Sequence, residues 1–189
     1  MSQIKLIPTK LKGKVSVPPS KSLAHRAIIA ASLAKGISRI DHIEYSQDIK
    51  ATIGAMEALG TIIEQHEDYL IINGNYTFTK NNTMPGVQID CEESGSTLRF
   101  MVPISLAKVN KVRFIGKRPL DTYYEIFERQ NIGYLYRENV LDLNVVGELK
   151  PDLYRIPGNI SSQFITGLLF ALPLLSFDSI IEITTPLES

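Results

Sequence analysis

Apolar and polar positions fall into a recurring order along the chain. Lys14–Val17 and Val87–Cys91 read as short extended segments. Each leads through a turn of small residues into a stretch that is apolar nearly all round, Ser22–Ala34 and Ser96–Ala107. Such a pattern predicts a helix buried on most sides rather than one lying on a surface. A β-type run follows, Ser38–Ile43 or Lys111–Ile115, and then a second helix, about Asp48–Leu59 or Asp121–Gln130. Asp near the N-terminus of each acts as a cap or dipole partner, and Gly60 and Gly133 are expected to stop them. Two strands close each set, Thr61–Gln65 with Tyr69–Ile72 and Gly133–Tyr136 with Val140–Val146. Polar turns at His66-Glu67-Asp68 and Arg137-Glu138-Asn139 join them. Both sets read β-α-β-α-β-β.

Identities recur with the elements. Shifted by 73 positions, Arg26 falls on Arg99, Ser32-Leu33-Ala34-Lys35 on Ser105-Leu106-Ala107-Lys108, Asp48 on Asp121, Gly60 on Gly133 and Gly74 on Gly147. A third unit opens at Tyr154-Arg155-Ile156, turns through Pro157-Gly158-Asn159, enters an apolar helix at Ser162–Leu175 and reaches the strand Ser179–Thr184. Asn75–Pro85, rich in Asn and Thr, is the most loop-like stretch and joins the first two units. The expected organisation is one incomplete domain, with units over 14–74 and 87–147 and the first half of a third over 154–189. The N-terminal part of a longer polypeptide is the natural source of such a sequence. The fold class is α/β (α+β).

Composition narrows the function. With 44% apolar and 21% charged residues, the chain has the balance of a folded globular protein, and disorder or a coiled-coil rod is excluded. A single cysteine, Cys91, allows no intramolecular disulfide framework and suits the reducing cytosol. Met1-Ser2-Gln3-Ile4-Lys5 lacks the apolar region of a signal peptide, so a cytoplasmic protein is expected. Phe164–Leu175 is interrupted by Thr166, Gly167 and Pro173 and is shorter than the ~20 residues of a membrane span. Twenty basic against twenty acidic residues leave no global field to recruit nucleic acid or an anionic membrane. Anion binding has to arise from a local site.

Such a site is written into the starts of the apolar helices. Pro19-Ser20-Lys21-Ser22, Glu93-Ser94-Gly95-Ser96-Thr97 and Asn159-Ile160-Ser161-Ser162-Gln163 place hydroxyl and glycine residues at helix N-termini, where unpaired N–H groups and the dipole favour phosphate or carboxylate. Plain N-capping explains one such turn, but three in one register with cations beside them point to ligands. Lys21 opposes the dipole of its own helix unless an anion is present. Arg26 and Arg99 sit in otherwise apolar helices and need a partner, either Glu92 or Glu93 or a bidentate ligand. Arg118 follows a strand in Gly116-Lys117-Arg118-Pro119-Leu120, a place where ligands are met. No phosphate-loop or dinucleotide fingerprint is present, His25, His42 and His66 lack metal-ligand spacing, and Cys91 beside Glu92 and Glu93 reads as an unreactive strand residue. No metal and no cofactor is expected.

Val17-Pro18-Pro19-Ser20-Lys21-Ser22-Leu23-Ala24-His25-Arg26-Ala27 closely resembles the signature of the 5-enolpyruvylshikimate-3-phosphate synthase family. Ser94-Gly95-Ser96-Thr97-Leu98-Arg99-Phe100, Lys117-Arg118-Pro119-Leu120 and Ser161-Ser162-Gln163-Phe164 are similar to the next three motifs of that family, in order. The resemblance implies repeated units around a pseudo-threefold, buried helices inside and sheets outside, an inverse α/β barrel-like enolpyruvyl transferase domain whose C-terminal partner domain is not in this sequence. It implies transfer of the enolpyruvyl group from phosphoenolpyruvate to shikimate 3-phosphate in aromatic amino-acid biosynthesis, with small-molecule substrates and neither nucleic acid nor membrane as partner. Lys21, Ser22, Arg26, Ser161, Ser162, Gln163 and Ser189 would hold shikimate 3-phosphate; Lys21, Gly95, Arg118 and Gln163 would hold phosphoenolpyruvate. Lys21 would be the catalytic cation, acting electrostatically, while the acid and base groups belong mostly to the other domain. Many relatives carry Asn where Glu93 stands, and a carboxylate there needs a cation, with Arg99 the candidate. Two alternatives are a non-catalytic anion-binding module and the enolpyruvyl transferase that acts on UDP-N-acetylglucosamine, which usually has Lys-Asn where Lys21-Ser22 stands.

Overall fold

The computed structural model describes residues 3–5, 7–8, 10, 12–74, 86–117, 123–137 and 140–187. The first set of elements is α1 (Lys21–Leu33), β1 (Gly36–Asp41), α2 (Gln47–Ala58), β2 (Ile62–Gln65) and β3 (Tyr69–Gly74). The second is β4 (Val87–Asp90), α3 (Gly95–Lys108), β5 (Lys111–Gly116), α4 (Tyr124–Gln130), β6 (Gly133–Tyr136) and β7 (Leu141–Val146). The third is β8 (Leu153–Ile156), α5 (Ser162–Ala171), a 3-10 turn at Leu172–Leu174 and β9 (Ile180–Ile183).

The three sheets share one plan. β1-β3-β2 is antiparallel throughout, and β5-β7-β6 repeats that order with β4 added in parallel on the outer side of β5. β8 and β9 reproduce only the parallel pair. Alternation fixes which face is inward: Leu70 and Ile72 on β3, Val112 and Phe114 on β5, and Leu143 and Val145 on β7 are buried, while Lys111 and Arg113 point out. On the outer face Arg113 grips Asp142 through Nε and Nη2 (2.8 and 3.1 Å) and holds its carboxyl below the ordinary carboxylate range.

Two expected features differ. Lys14–Val17 forms no strand; Val15 and Val17 are 86% and 81% exposed, because the segment meets no ladder partner before Pro18 and Pro19, which lack N–H groups. Gly133 does not stop the second short helix but begins β6. Asn131 takes the left-handed position instead (φ 55°), with the Ile132 N–H reaching back to the Phe127 carbonyl at 2.8 Å. In the first set Gly60 does serve as the stop (φ 93°), and the Thr61 N–H closes on the Met56 carbonyl at 3.0 Å. Asp121 and the residues 75–85 and 138–139 lie outside the described residues.

α3 is the central helix, buried from Thr97 to Lys108 apart from Arg99. α5 and α2 pack against it, and α1 reaches it through His25 and Arg26 at the Phe100 ring; α1 and α5 are less enclosed than an all-round apolar pattern predicts, with Leu23 and Leu169 exposed. Within α3, Pro103 donates no N–H, which frees the carbonyl of Arg99 four residues back. The Tyr123 hydroxyl lies 2.8 Å from that carbonyl and 3.0 Å from the Phe164 carbonyl of α5. Gly167 completes the seam, since a Cβ there would stand 2.5 Å from the Arg99 carbonyl. α5 ends at Ala171 and tightens into the 3-10 turn where Pro173 interrupts the helical ladder, short of the expected Leu175. No helix among the described residues is long and apolar enough to cross a membrane.

Candidate active site

The N-termini of α1, α2, α3 and α5 are tied to one another by side chains, and the site is built from those ties. Ser20, Ser46, Ser94 and Ser161 cap the four helices, accepting from the N–H groups of Leu23, Ile49, Thr97 and Gln163. The seam between α1 and α2 carries two rungs one helical turn apart. Lys21 Nζ meets Asp48 Oδ2 at 2.5 Å at the solvent end. One turn deeper, His25 Nδ1 lies 2.7 Å from Thr52 Oγ1.

The inner rung continues into α3. Thr52 Oγ1 is 2.7 Å from Thr97 Oγ1, which in turn is 2.8 Å from Ser94 Oγ. His25 Nε2 is buried without a partner among the described residues. A stranded lone pair is less costly than a stranded N–H, so the proton belongs on Nδ1, donated to Thr52, and the hydroxyls pass hydrogen bonds on toward the cap of α3. Burial lowers the His25 pKa from 6.5 to about 4, against the pull of Asp48 and with the push of Lys21 and Arg26. The imidazole is therefore neutral at physiological pH, and its role here is structural, as its lack of ligand spacing suggests.

α3 and α5 meet through Gln163. Its Oε1 accepts from Arg99 Nη1 and its Nε2 donates to Ser96 Oγ, both at 2.7 Å, so both ends of the amide are fixed. Arg99 also lies 5.2 Å from the centre of the Phe164 ring. Arg26 Nη1 donates to the Ser22 carbonyl at 2.8 Å and stands 5.7 Å from the Phe100 ring. Of the carboxylates considered for these arginines, Glu93 is engaged elsewhere. Glu93 pairs with Lys117 at 2.6 Å, not with Arg99, because the Glu92 carbonyl accepts the Lys117 N–H and brings the two turns together. Cys91 is buried and its thiol is pushed up to about 12 by desolvation first and Asp90 second, consistent with an inert residue.

A sequence profile of the EPSP synthase (3-phosphoshikimate 1-carboxyvinyltransferase) family matches residues 6–189. The chain belongs to that family. It is 59% identical to the 3-phosphoshikimate 1-carboxyvinyltransferase of Clostridioides difficile (strain 630), covering all of this chain and 46% of the relative. It is 58% identical to that of Clostridium perfringens (strain SM101 / Type A), covering 45% of the relative. The chain thus spans about half the length of the curated relatives it matches. The EPSP synthase structure from Acinetobacter baumannii superimposes with a TM-score of 0.76 at 21% identity, over 94% of this chain and 41% of that one, which establishes the enolpyruvyl transferase fold.

Within this member of the EPSP synthase family, Lys21, Ser22 and Arg26 lie in the first two turns of α1, Gly95 begins α3, and Ser161, Ser162 and Gln163 form the start of α5. Side-chain contacts draw Lys21 to α2 and Gln163 to α3. Arg118 and Ser189 lie outside the described residues. Sequence reading missed Thr52 and Tyr123. Pro103 was the available signal for Tyr123, since a proline inside a buried helix requires a donor for the carbonyl it frees.

Proposed function

We propose that this chain is the substrate-binding half of an enzyme that transfers the enolpyruvyl group of phosphoenolpyruvate to the 5-hydroxyl of shikimate 3-phosphate. It would be one incomplete domain, with units over 14–74 and 87–147 and half a unit over 154–189. The observation that carries the reading is the tie of the capped N-termini of α1, α3 and α5, with Lys21, Arg26 and Arg99 among them. Helix N-termini supply N–H donors and positive potential, and the cations supply the charge that two anionic substrates need. Shikimate 3-phosphate would be held by Lys21, Ser22, Arg26, Ser161, Ser162, Gln163 and Ser189, and phosphoenolpyruvate by Lys21, Gly95, Arg118 and Gln163. Lys21 would serve both and stabilise negative charge developing in the tetrahedral intermediate of direct addition. The partner domain would close the cleft, exclude water and provide the proton-transfer groups.

Titration of the chain with shikimate 3-phosphate tests this. The expected result is weak saturable binding, reduced in Arg26→Ala or Ser161→Ala by roughly 1–3 kcal/mol, and no release of phosphate from phosphoenolpyruvate by this chain alone. Binding unchanged in both variants, or turnover without the partner domain, would overturn it.

A further inference from the structure

The outer rung of the α1–α2 seam occupies the very cation on which the proposed anion binding depends. Lys21 is the first residue of α1, where the dipole repels it, and Asp48 lies in the first turn of α2, where the dipole favours a carboxylate. Their 2.5 Å contact answers the charge of one helix end with that of another. The two partners differ in freedom. The backbone of Asp48 is held within α2, with its carbonyl lying over the buried Thr52 and Thr97 side chains. Its side chain is 27% exposed against 56% for Lys21, whose four-carbon stem leaves the ammonium free to swing. Lys21 is therefore the member that moves when an anion competes, and Asp48 stays behind at a helix terminus that still favours its charge.

We infer that Asp48 is a specificity-determining residue: a resident counter-ion that holds the Lys21 ammonium and keeps small inorganic anions out of the α1 turn, yielding to a substrate that brings further contacts. The inference rests on the function proposed above. Inorganic phosphate offers Lys21 one anion in exchange for another already in place. A phosphorylated hydroxy acid that also reaches the start of α5 adds hydrogen bonds that the carboxylate cannot match.

The test is titration of the chain and its variants with inorganic phosphate and with shikimate 3-phosphate, followed by 31P NMR. Removing a charge a few ångströms from the site should tighten phosphate binding in Asp48→Asn by roughly three- to ten-fold. Discrimination between shikimate 3-phosphate and phosphate should fall, and Asp48→Glu should behave as the parent. On a Lys21→Ala background the effect of Asp48→Asn should shrink to less than half. Phosphate binding unchanged, weaker or undetectable in Asp48→Asn overturns the inference. So does an equal gain without Lys21, which would reduce Asp48 to plain repulsion. If phosphate follows the expected order while shikimate 3-phosphate binds the parent no better than phosphate does, the proposed function fails and the counter-ion role of Asp48 stands.

Discussion

The Tyr123 hydroxyl donates to the Arg99 carbonyl, which Pro103 leaves without its helical N–H, and lies 3.0 Å from the Phe164 carbonyl at the start of α5. Tyr123→Phe keeps the ring and removes the proton, so chemical denaturation should show a loss of about 1–3 kcal/mol. His25 makes a pH-dependent contribution. Its folded pKa of about 4 lies below the ordinary 6.5, so the unfolded chain binds more protons between those values. Stability should therefore be full above pH 6.5 and decline as pH falls toward 4, by on the order of 3 kcal/mol. His25→Asn should flatten that part of the profile, and a slope unchanged in the variant would place the titration elsewhere. Lys21→Ala in a polypeptide of the relatives' full length should lower kcat by on the order of 10²-fold as well as raising KM; steady-state kinetics with unchanged kcat would leave Lys21 a binding residue only. Lys21, Gln163 and the capping Ser20, Ser94 and Ser161 were legible in the sequence because their motifs are contiguous, whereas α2 is capped by Ser46, with the expected Asp48 in its first turn as dipole partner. Thr52 and Tyr123 were not, since each acts on a partner more than twenty positions away and carries no local pattern.

At the scale of elements, helices and paired strands were legible because hydrophobic periodicity and the 73-residue register agree. The failures have physical causes. Alternation at Lys14–Val17 gives a segment the ability to pair, but a strand exists only where a ladder receives it. The stop of α4 moved from Gly133 to Asn131 because Asn is the other residue that tolerates the left-handed region. The packing of α3 on α5 could not be read at all from periodicity, as it depends on Gly167 lying against the Arg99 carbonyl, the Tyr123 hydroxyl and the Pro103 ring. Gly167→Ala removes a flexible residue from a helix interior, which favours the helix by up to ~1 kcal/mol. It also forces the two backbones apart, and overpacking of this kind costs about 1–3 kcal/mol. The clash should win. A fall in melting temperature is expected, together with weakened docking of Gln163 on Ser96; an Ala variant as stable as the parent would mean the seam can slide to admit a methyl group.

For the molecule as a whole, the comparison among its own sheets sets the expectation. β5 has β4 on one side and β7 with β6 on the other, whereas among the described residues β9 has only β8. Beside β9 lies a groove of about 470 Å³ lined by Leu169, Leu172, Leu175, Phe177 and Ile181 together with Ser176, Asp178 and Ser179. Phe177 is 79% exposed there and Leu169 60%. An unpaired strand edge beside exposed apolar side chains favours association with whatever strand is available. The matched relatives are about twice as long as this chain, and an equivalent of α4, β6 and β7 would occupy both the edge and the groove. Extension by roughly 30–50 residues of a relative's sequence, the length such elements require, should raise the melting temperature and suppress self-association. Sedimentation and thermal melting of the two forms decide the matter. Equal melting temperatures, with this chain monomeric at high concentration, would show that the β9 edge and its groove are stable in water as they stand.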